Sequence, residues 1–147
     1  MRLNSSFETA ANEIKKQYLA DDRPWVIGFS GGKDSTVVLQ LTLYALKEIE
    51  NARRHKPVYI LSSDTLVEPP NIKDYLYSTF EAIKLHIEKD KLPVTVKIVT
   101  PNITDTFFVN LIGRGYPAPN RWFRWCTDRL KIRPSTELIA VSGSNGI

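Results

Sequence analysis

The chain has 147 residues, of which 42% are hydrophobic and 24% charged, and these values are typical of soluble proteins and exclude disorder along the whole chain. The longest uncharged stretch, Ser35–Leu46, is too short for a membrane helix, which needs about 20 residues, and the polar N-terminus lacks a secretion signal. The net charge is +4. The single cysteine, Cys126, excludes an intrachain disulfide framework. Because membrane and secretion segments are also not indicated, we expect a cytoplasmic protein without membrane contact.

Helical and strand patterns alternate along the chain. Ser5 and Glu8 have capping-box spacing, which predicts an N-terminal helix within residues 1–23. Residues 24–147 are predicted to form one nucleotide-binding α/β domain. Its predicted strands are Trp25–Phe29, Val58–Leu61, Val94–Val99 and Leu138–Val141. The first predicted helix of this domain begins at about residue 34 and ends around 51–56, and the others cover about 71–89, 104–112 and 126–131.

This alternation predicts a doubly wound, Rossmann-like parallel sheet. Right-handed crossovers place the carboxyl ends of parallel strands at one edge of a sheet, and ligands bind beyond that edge. The most polar strand ends are Ser30–Ser35, Ser62–Asp64 and Ser142–Asn145. We expect these three segments to lie together at the ligand-binding edge.

The strongest signal for chemistry is the sequence Ser30-Gly31-Gly32-Lys33-Asp34-Ser35, here called the phosphate loop, between a predicted strand and a predicted helix. Adjacent glycines let a ligand approach the backbone amides, and the start of a helix offers free N–H groups and a partial positive charge. The hydroxyls of Ser30 and Ser35 and the charge of Lys33 add donors to a phosphate. We therefore predict that the whole loop binds a nucleotide cofactor.

Asp34 is the unusual member of the phosphate loop, because a carboxylate repels phosphate groups. It is compatible with phosphate if it caps the helix or faces the divalent cation of a nucleotide, and we predict that it binds Mg²⁺. With Lys33 it is also a predicted catalytic residue. The alternative is a Gly-Gly turn in which Asp34 only caps the following helix.

The phosphate loop differs from two common nucleotide motifs. The Walker motif needs Gly, four residues and then Gly-Lys, but Lys33 already stands five positions after Gly28, and the pattern Gly-x-Gly-x-x-Gly is absent. The six residues instead resemble the PP-loop of the ATP pyrophosphatase superfamily. That resemblance implies chemistry at the α–β linkage of ATP, with adenylyl transfer and release of pyrophosphate.

Asp64 follows the second predicted strand. An aspartate at this strand end reaches the same crevice, and we predict that it belongs to the nucleotide site, in contact with the ribose, the cation or the substrate. The alternative is a strand-end Asx turn, in which the carboxylate bonds only to nearby backbone.

The segment Gly113–Arg133, here called the basic loop, holds six basic side chains and one acidic one, Asp128, so it carries +5 while the rest of the chain carries −1. Arginine pairs with phosphate oxygens, and tryptophan stacks on bases. The loop is therefore predicted to bind a DNA strand or a second nucleotide as substrate, unless it is a packed aromatic loop with solvated arginines. The predicted substrate-binding residues are Arg114, Arg121, Trp122, Arg124, Trp125, Arg129 and Lys131.

Cys126 lies within the basic loop, close to Arg124 and Arg129 in sequence. Neighbouring positive charges favour a thiolate, so we predict a reactive, catalytic cysteine or a metal ligand. The alternative is a small buried residue at the start of a helix, which is the commoner role of a single cysteine.

Three stretches together resemble one family, the DNA phosphorothioation sulfurtransferases of the DndC type. They are Val26–Leu41, Val58–Glu68 and Phe108–Ile132, and the last is the most diagnostic because of its run GRGYPAPNRWFRW. The resemblance covers most of the chain from Pro24 to about Leu138. It implies an enzyme that replaces a non-bridging oxygen of the DNA backbone phosphate with sulfur, after ATP has activated that phosphate by adenylylation at the phosphate loop.

The same resemblance implies a cysteine desulfurase as the source of sulfur, other phosphorothioation proteins as partners and a [4Fe–4S] cluster bound by several cysteines. Cys126 alone cannot hold such a cluster, because these clusters use four cysteine ligands. Members of the family are also longer. We therefore expect an N-terminal fragment whose sheet is incomplete at the C-terminus and whose exposed sheet edge favours homo-oligomers.

Two other functions remain open. A sulfonucleotide reductase, acting on phosphoadenosine phosphosulfate, would use Arg114, Arg121 and Arg124 to hold a small substrate. A catalytically incomplete module would bind ATP or DNA without turnover, which a single cysteine also allows.

Overall fold

The computed structural model describes residues 5–144. The helices are α1 (Ser5–Tyr18), α2 (Lys33–Glu48), α3 (Pro70–Lys89), α4 (Trp125–Thr127) and α5 (Arg133–Ser144), and the strands are β1 (Trp25–Gly28), β2 (Val58–Ser63) and β3 (Val94–Val99). Short 3₁₀ turns cover Asn51–Arg53 and Ile103–Asp105, and π turns cover Val109–Gly113 and Asp128–Ile132. The helix predicted over 104–112 is therefore divided between a 3₁₀ turn and a π turn.

The strands form a parallel sheet in the order β1-β2-β3, which agrees with the predicted α/β class. A proline precedes both β2 and β3, and each proline carbonyl accepts a hydrogen bond: Trp25 N–H donates to Pro57 at 3.0 Å, and Val58 N–H donates to Pro93 at 2.9 Å. Proline suits the start of a strand, where its missing N–H is not needed. The strand order does not reverse within the described residues, so the doubly wound arrangement stays a prediction.

The chain divides into two compact units. The first comprises Met1–Ile60 and Tyr77–Val96, and the second comprises Leu61–Leu76 and Lys97–Ile147. In the first unit α1 packs against α2. The domain boundary predicted at residue 23 stays a prediction.

A buried lysine in the first unit connects the end of α1 to β1. The Nζ of Lys56 lies 2.7 Å from Oδ1 of Asp21, and it lies 5.2 Å and 4.9 Å from the ring centroids of Tyr18 and Trp25. The Tyr18 hydroxyl donates a hydrogen bond to the Lys56 carbonyl at 2.7 Å. A carboxylate and two aromatic faces thus compensate the buried charge and hold α1 beside the strand that leads to the phosphate loop.

The segment Leu138–Val141, predicted as a fourth strand, lies in helix α5, so that prediction is wrong. A short apolar run fits a buried strand and a helix equally well by composition. Here Ile139 and Val141 are about half exposed, unlike residues of a buried strand. Pro134 is the second residue of α5, which begins directly after the π turn Asp128–Ile132. Asn145, the end of the polar segment predicted to follow this strand, lies outside the described residues.

None of the helices within residues 5–144 is long and apolar enough to span a membrane.

Candidate phosphate and polyanion sites

The phosphate loop connects β1 to α2 through a turn that requires one of its two glycines. Gly31 has a φ of +74°, in the left-handed region that favours glycine. Gly32 has φ −77° and ψ 161°, which any residue adopts, and a Cβ at this position would have only Ser30 Oγ within 4 Å, at 3.5 Å. The turn therefore favours glycine at position 31, whereas the backbone at Gly32 is open to other residues and its surroundings are uncrowded.

The start of helix α2 is not capped by a side chain. Gly32 is the N-cap residue, and no side chain within residues 5–144 forms a capping hydrogen bond at this helix start. The hydroxyls of Ser35 and Thr36 donate instead to the Gly32 carbonyl, at 2.9 Å and 2.8 Å, and the hydroxyls of Ser30 and Ser35 are 3.2 Å apart. The first N–H groups and the positive end of the helix dipole are thus available to an anion.

Lys33 and Asp34 are the first two residues of α2, and both side chains are exposed. Among the described residues neither side chain has an ion-pair or hydrogen-bond partner. Asp34 therefore does not cap the helix, contrary to one reading of the sequence. Its charge is favourable near the positive end of the helix dipole, and its open carboxylate is the kind of ligand that Mg²⁺ prefers. Its roles in catalysis and metal binding stay predictions.

Asp64 belongs to the second unit, and only 2% of its surface is exposed. Its Oδ1 accepts a hydrogen bond from the Leu66 N–H at 2.9 Å, and its Oδ2 lies 3.7 Å from Nζ of Lys73. The bond to Leu66 closes a turn in which Leu66 itself has a φ of +63°. This is the strand-end Asx turn that the sequence left open as an alternative. Contact of Asp64 with a nucleotide stays a prediction.

Two of the predicted substrate-binding arginines share one carboxylate in the second unit. Asp105 Oδ1 accepts hydrogen bonds from Arg114 Nη1 at 2.9 Å and from Arg129 Nη1, and Arg129 Nη2 donates to the Tyr116 hydroxyl at 2.8 Å. The buried Asn110 accepts from Arg114 Nη1 at 3.0 Å and donates to the Asp105 carbonyl at 2.9 Å. We call these residues the Asp105 cluster. Hydrogen bonds from Arg114 and Arg129 lower the pKa of Asp105.

Asp105, Asn110 and Tyr116 were not among the residues predicted from the sequence. Arg114 and Arg129 lie nine and 24 positions from Asp105, so no local pattern indicates the pairing. One signal was present: Asp105 is the only acidic residue between Asp90 and Asp128. A lone acid before a strongly basic segment is a plausible internal partner for its arginines.

Of the other basic side chains of the basic loop, one forms an ion pair with an acidic side chain and three do not among the described residues. Arg133 Nε pairs with Asp128 Oδ2 at 2.7 Å. Arg121, Arg124 and Lys131 are exposed and form no ion pair in the part of the chain that the structure describes. These three side chains therefore carry the charge that is most available to a polyanion.

The two tryptophans of the basic loop have opposite environments. Trp125 is 7% exposed, its Nε1 donates to the Pro117 carbonyl at 3.0 Å, and its ring stacks on Phe107 with centroids 5.4 Å apart. Trp122 is 89% exposed, and the Arg121 guanidinium lies 5.6 Å from its ring centroid. Trp125 thus packs inside the loop, so its burial argues against the predicted substrate contact, whereas Trp122 offers an accessible face.

Cys126 is partly exposed and lines two clefts of the second unit. One cleft, of about 460 Å³, is also lined by Arg121 and Arg124, and the other, of about 230 Å³, is lined by Glu68 and Lys131. The packing alternative requires a thiol enclosed in a core, and the Cys126 thiol is not enclosed. Its predicted reactivity stays a prediction.

We expect Asp105→Asn to lower the free energy of unfolding by about 1–2 kcal/mol, because two arginines lose a charged hydrogen-bond acceptor. The matched change Asp128→Asn breaks an exposed pair with Arg133 and should cost less than about 1 kcal/mol. Denaturant unfolding near pH 7 measures both. Equal costs for the two variants would contradict a stabilising role for the Asp105 cluster.

The stability of the Asp105 cluster should also depend on pH. Its arginines lower the pKa of Asp105 from the ordinary value of 3.8, so the contribution of the ionised carboxylate is fully present above that pH. It is lost as the pH falls through the lowered pKa. The stability difference between the wild type and Asp105→Asn should therefore shrink as the pH at which unfolding is measured falls below 3.8.

The residues fit a nucleotide, but they do not fit the iron–sulfur cluster that the family resemblance implies. The described residues contain no cluster of three or more His, Cys, Asp or Glu side chains that could hold a metal ion. A [4Fe–4S] cluster with four cysteine ligands does not fit a chain with one cysteine. A nucleotide does fit the phosphate loop, whose N–H groups and Lys33 suit phosphates and whose Asp34 suits an accompanying cation.

Comparison with known proteins identifies one relative without a stated activity. No family model matches the chain. The chain is 30% identical, over 126 residues, to an uncharacterized protein of Methanocaldococcus jannaschii. The match covers 86% of this chain and 22% of that protein, so the chain spans about a fifth of the length of this relative. The similarity therefore assigns no function.

Proposed function

We propose that the chain provides the ATP-binding and DNA-binding parts of a cytoplasmic sulfurtransferase of the DNA phosphorothioation type. ATP and Mg²⁺ bind at the phosphate loop, and the basic loop holds the DNA backbone. In the same proposal the sheet belongs to a doubly wound fold of the adenine-nucleotide alpha hydrolase type. A cysteine desulfurase and other phosphorothioation proteins are the partners, and the sulfur comes from the desulfurase.

The open start of α2 is the observation that carries this proposal. Its unbonded N–H groups can donate to phosphate oxygens, and the exposed Lys33 adds a positive charge beside them. Asp34, whose carboxylate is exposed, can hold the Mg²⁺ that accompanies ATP. The preference for the α–β linkage of ATP rests on the resemblance of Ser30–Ser35 to the PP-loop.

In the proposed activation, an oxygen of the DNA phosphate attacks the α-phosphorus of ATP. The bond from that phosphorus to the α–β bridging oxygen breaks, and pyrophosphate leaves with the bonding electrons. A sulfur nucleophile at the sulfide level can then attack the DNA phosphorus, so that a P–S bond forms while the P–O bond to AMP breaks and AMP leaves with the bonding electrons. The positive charge of Lys33 would favour the release of pyrophosphate, because negative charge develops on the departing pyrophosphate, and a Mg²⁺ held by Asp34 would supply further positive charge there.

The clefts of the second unit support DNA as the second substrate. Arg121 and Arg124 line one of them without an internal carboxylate partner among the described residues. Guanidinium groups in this state are suited to phosphate oxygens. Cys126 lines the same cleft, and it is therefore our candidate for sulfur transfer.

The products of ATP turnover test this function. We expect the full-length protein, supplied with ATP, Mg²⁺, DNA and a sulfur source, to release pyrophosphate and adenylate, because the α–β linkage is the one that breaks. Chromatography of ATP labelled on the α- or γ-phosphate separates these products. Release of orthophosphate without pyrophosphate or adenylate would contradict the proposal.

A matched pair of variants tests the role of Asp34 in that assay. Asp34→Asn should lower pyrophosphate release at least about tenfold, since the cation loses a charged ligand. Asp74→Asn, which changes an exposed aspartate on α3 outside the phosphate loop, should leave it unchanged. Equal rates in the two variants would argue against Mg²⁺ binding by Asp34.

A sulfonucleotide reductase is the second candidate, and the size of the arginine-lined cleft favours it. A cleft of about 460 Å³ is in the range of small-molecule sites. Calorimetric titration with adenylyl sulfates and with DNA separates the two functions. Tight binding of an adenylyl sulfate without DNA would favour the reductase, whereas binding of ATP and DNA without turnover would favour an incomplete binding module.

A further inference from the structure

We propose that the tip of the basic loop, residues 120–124, binds an unpaired nucleotide of a DNA strand. Its base stacks on Trp122, and its phosphate pairs with Arg124. This inference rests on the proposed function, because it takes DNA as the substrate. It goes further by specifying single-stranded or locally unpaired DNA and by separating the side chains that contact it from those that only support the loop.

The tip is a closed turn that holds Trp122 in solvent. Asn120 Oδ1 accepts hydrogen bonds from the N–H groups of Trp122 and Phe123 at 2.9 Å and 3.0 Å, and the Asn120 N–H donates to the Phe123 carbonyl at 3.2 Å. Behind the turn, Trp125 is anchored to the Pro117 carbonyl. The conformation of the tip is therefore set by bonds that do not involve the Trp122 indole.

An exposed indole in a fixed turn needs an explanation, because solvation of a large aromatic surface is unfavourable. At 89% exposure Trp122 adds almost no packing to the fold. Its neighbour Arg121 places a guanidinium 5.6 Å from the ring centroid. An aromatic face beside a planar cation is the arrangement on which nucleic-acid bases stack.

The charges around the tip favour a phosphate-bearing ligand. Arg114 and Arg129 are held by Asp105, so their guanidinium groups are engaged within the loop. Arg121 and Arg124 have no such partner in the described part of the chain, and no acidic side chain lines the cleft that they share. A base on Trp122 and its phosphate on Arg124 would thus use the most exposed aromatic ring of the tip and an uncompensated charge.

Trp122 favours unpaired over double-stranded DNA, because a tryptophan ring contacts the face of a base. In a duplex the faces of each base are covered by its neighbours, and proteins read the base edges in the grooves by hydrogen bonding. Trp122 offers a face and a single N–H donor. A free face pairs with a base that is out of the stack, as in single-stranded DNA or a flipped nucleotide.

Fluorescence anisotropy with a labelled single-stranded oligonucleotide, and with the same sequence as a duplex, tests this inference on the full-length protein. We expect tighter binding of the single strand. Trp122→Ala should weaken single-strand binding by about 5- to 150-fold, the range that loss of one stacked base produces, and Trp122→Phe should retain most of the affinity. Ile112→Ala, which removes another exposed apolar side chain (77% exposed), should change it less than about twofold.

The charged part of the proposal has its own matched pair. Arg124→Gln should reduce the slope of log affinity against log salt by about 0.7 on single strands, which corresponds to one lost phosphate contact. Arg53→Gln removes an exposed arginine of the first unit and should leave the slope unchanged. Equal slopes in both variants would overturn the assignment of the phosphate to Arg124.

The remaining outcomes separate this inference from the proposed function. If Trp122→Ala behaves like Ile112→Ala, or if the duplex binds as tightly as the single strand, the inference is overturned while DNA remains the substrate. If the wild-type protein binds neither form, both the inference and the proposed DNA substrate are overturned. Near-ultraviolet circular dichroism of each variant shows whether the fold is unchanged.

Discussion

Gly32→Val is expected to weaken ATP binding at least about 100-fold while it leaves the free energy of unfolding within about 0.5 kcal/mol of the wild type. A loss of this size corresponds to about two hydrogen bonds from backbone N–H groups to a charged phosphate, at about 1.5–3 kcal/mol each. Calorimetric titration with ATP and Mg²⁺ measures the affinity, and denaturant unfolding measures the stability.

The separation of binding from stability follows from the geometry of Gly32. Its backbone, with φ −77° and ψ 161°, lies in a region open to valine. A Cβ there would have only Ser30 Oγ within 4 Å, at 3.5 Å, which is an ordinary contact. We expect the branched side chain instead to occupy space near the first N–H groups of α2, where our proposal places a phosphate.

Gly28→Val is the matched control for this change. Gly28 is also exposed, it lies in β1 just before the phosphate loop, and a Cβ there would have no heavy atom within 4 Å. Valine is favourable in a strand, so this variant should fold and bind ATP like the wild type. If Gly32→Val binds ATP as tightly as Gly28→Val, the phosphate loop is not the nucleotide site.

Lys56→Ala should lower the free energy of unfolding by about 2–4 kcal/mol, the largest stability effect that we expect in the first unit. Lys56 is 1% exposed, and its ammonium group is in contact with Asp21 and with the rings of Tyr18 and Trp25. Alanine removes both the cation and the methylene chain, and it leaves a cavity between α1 and β1. Thermal or denaturant unfolding measures the loss.

Lys56→Met separates the effect of the charge from that of the volume, and Lys15→Ala is a control at a partly exposed lysine. Lys56→Met keeps the volume but removes the charge, so it should lie between the wild type and Lys56→Ala. Lys15→Ala removes a lysine that forms a partly exposed pair with Glu48 at 2.6 Å, and it should cost less than about 1 kcal/mol. If Lys56→Ala costs no more than Lys15→Ala, the buried lysine does not stabilise the unit.

The contribution of Lys56 should decrease in acid. Hydrogen bonds from Lys56 and Arg23 lower the pKa of Asp21 from 3.8 to about 2. A carboxylate with a lowered pKa contributes stability above its ordinary pKa, and that contribution is lost as the pH falls through the lowered value. The difference in stability between the wild type and Lys56→Met should therefore narrow between about pH 4 and pH 2.

The parts of the fold that could be predicted from the sequence are those with local causes. The three observed strands coincide with apolar runs that begin next to a proline, and the phosphate loop lies in the predicted turn between β1 and α2. The strand predicted at Leu138–Val141 failed because an apolar run of four residues does not distinguish a strand from a helix. Only its surroundings, in which Ile139 and Val141 are half exposed, separate the two.

The basic loop shows the opposite case. The sequence predicted the same role, contact with the substrate, for seven basic and aromatic side chains of this loop, including Arg114, Trp122, Trp125 and Arg129. The structure divides them, because Asp105 binds both Arg114 and Arg129, and because Trp125 is buried where Trp122 is exposed. These partners lie up to 24 positions apart, beyond the reach of any local pattern.

The sequence by itself determined the α/β class, the position of the phosphate loop and the concentration of positive charge in one segment, because periodicity, turn residues and charge are properties of neighbouring residues. The tertiary structure decided that the start of α2 is uncapped, that Asp64 closes a turn, and which side chains of the basic loop face solvent. Burial and ion pairing depend on contacts between distant residues, and those contacts exist only once the chain has folded.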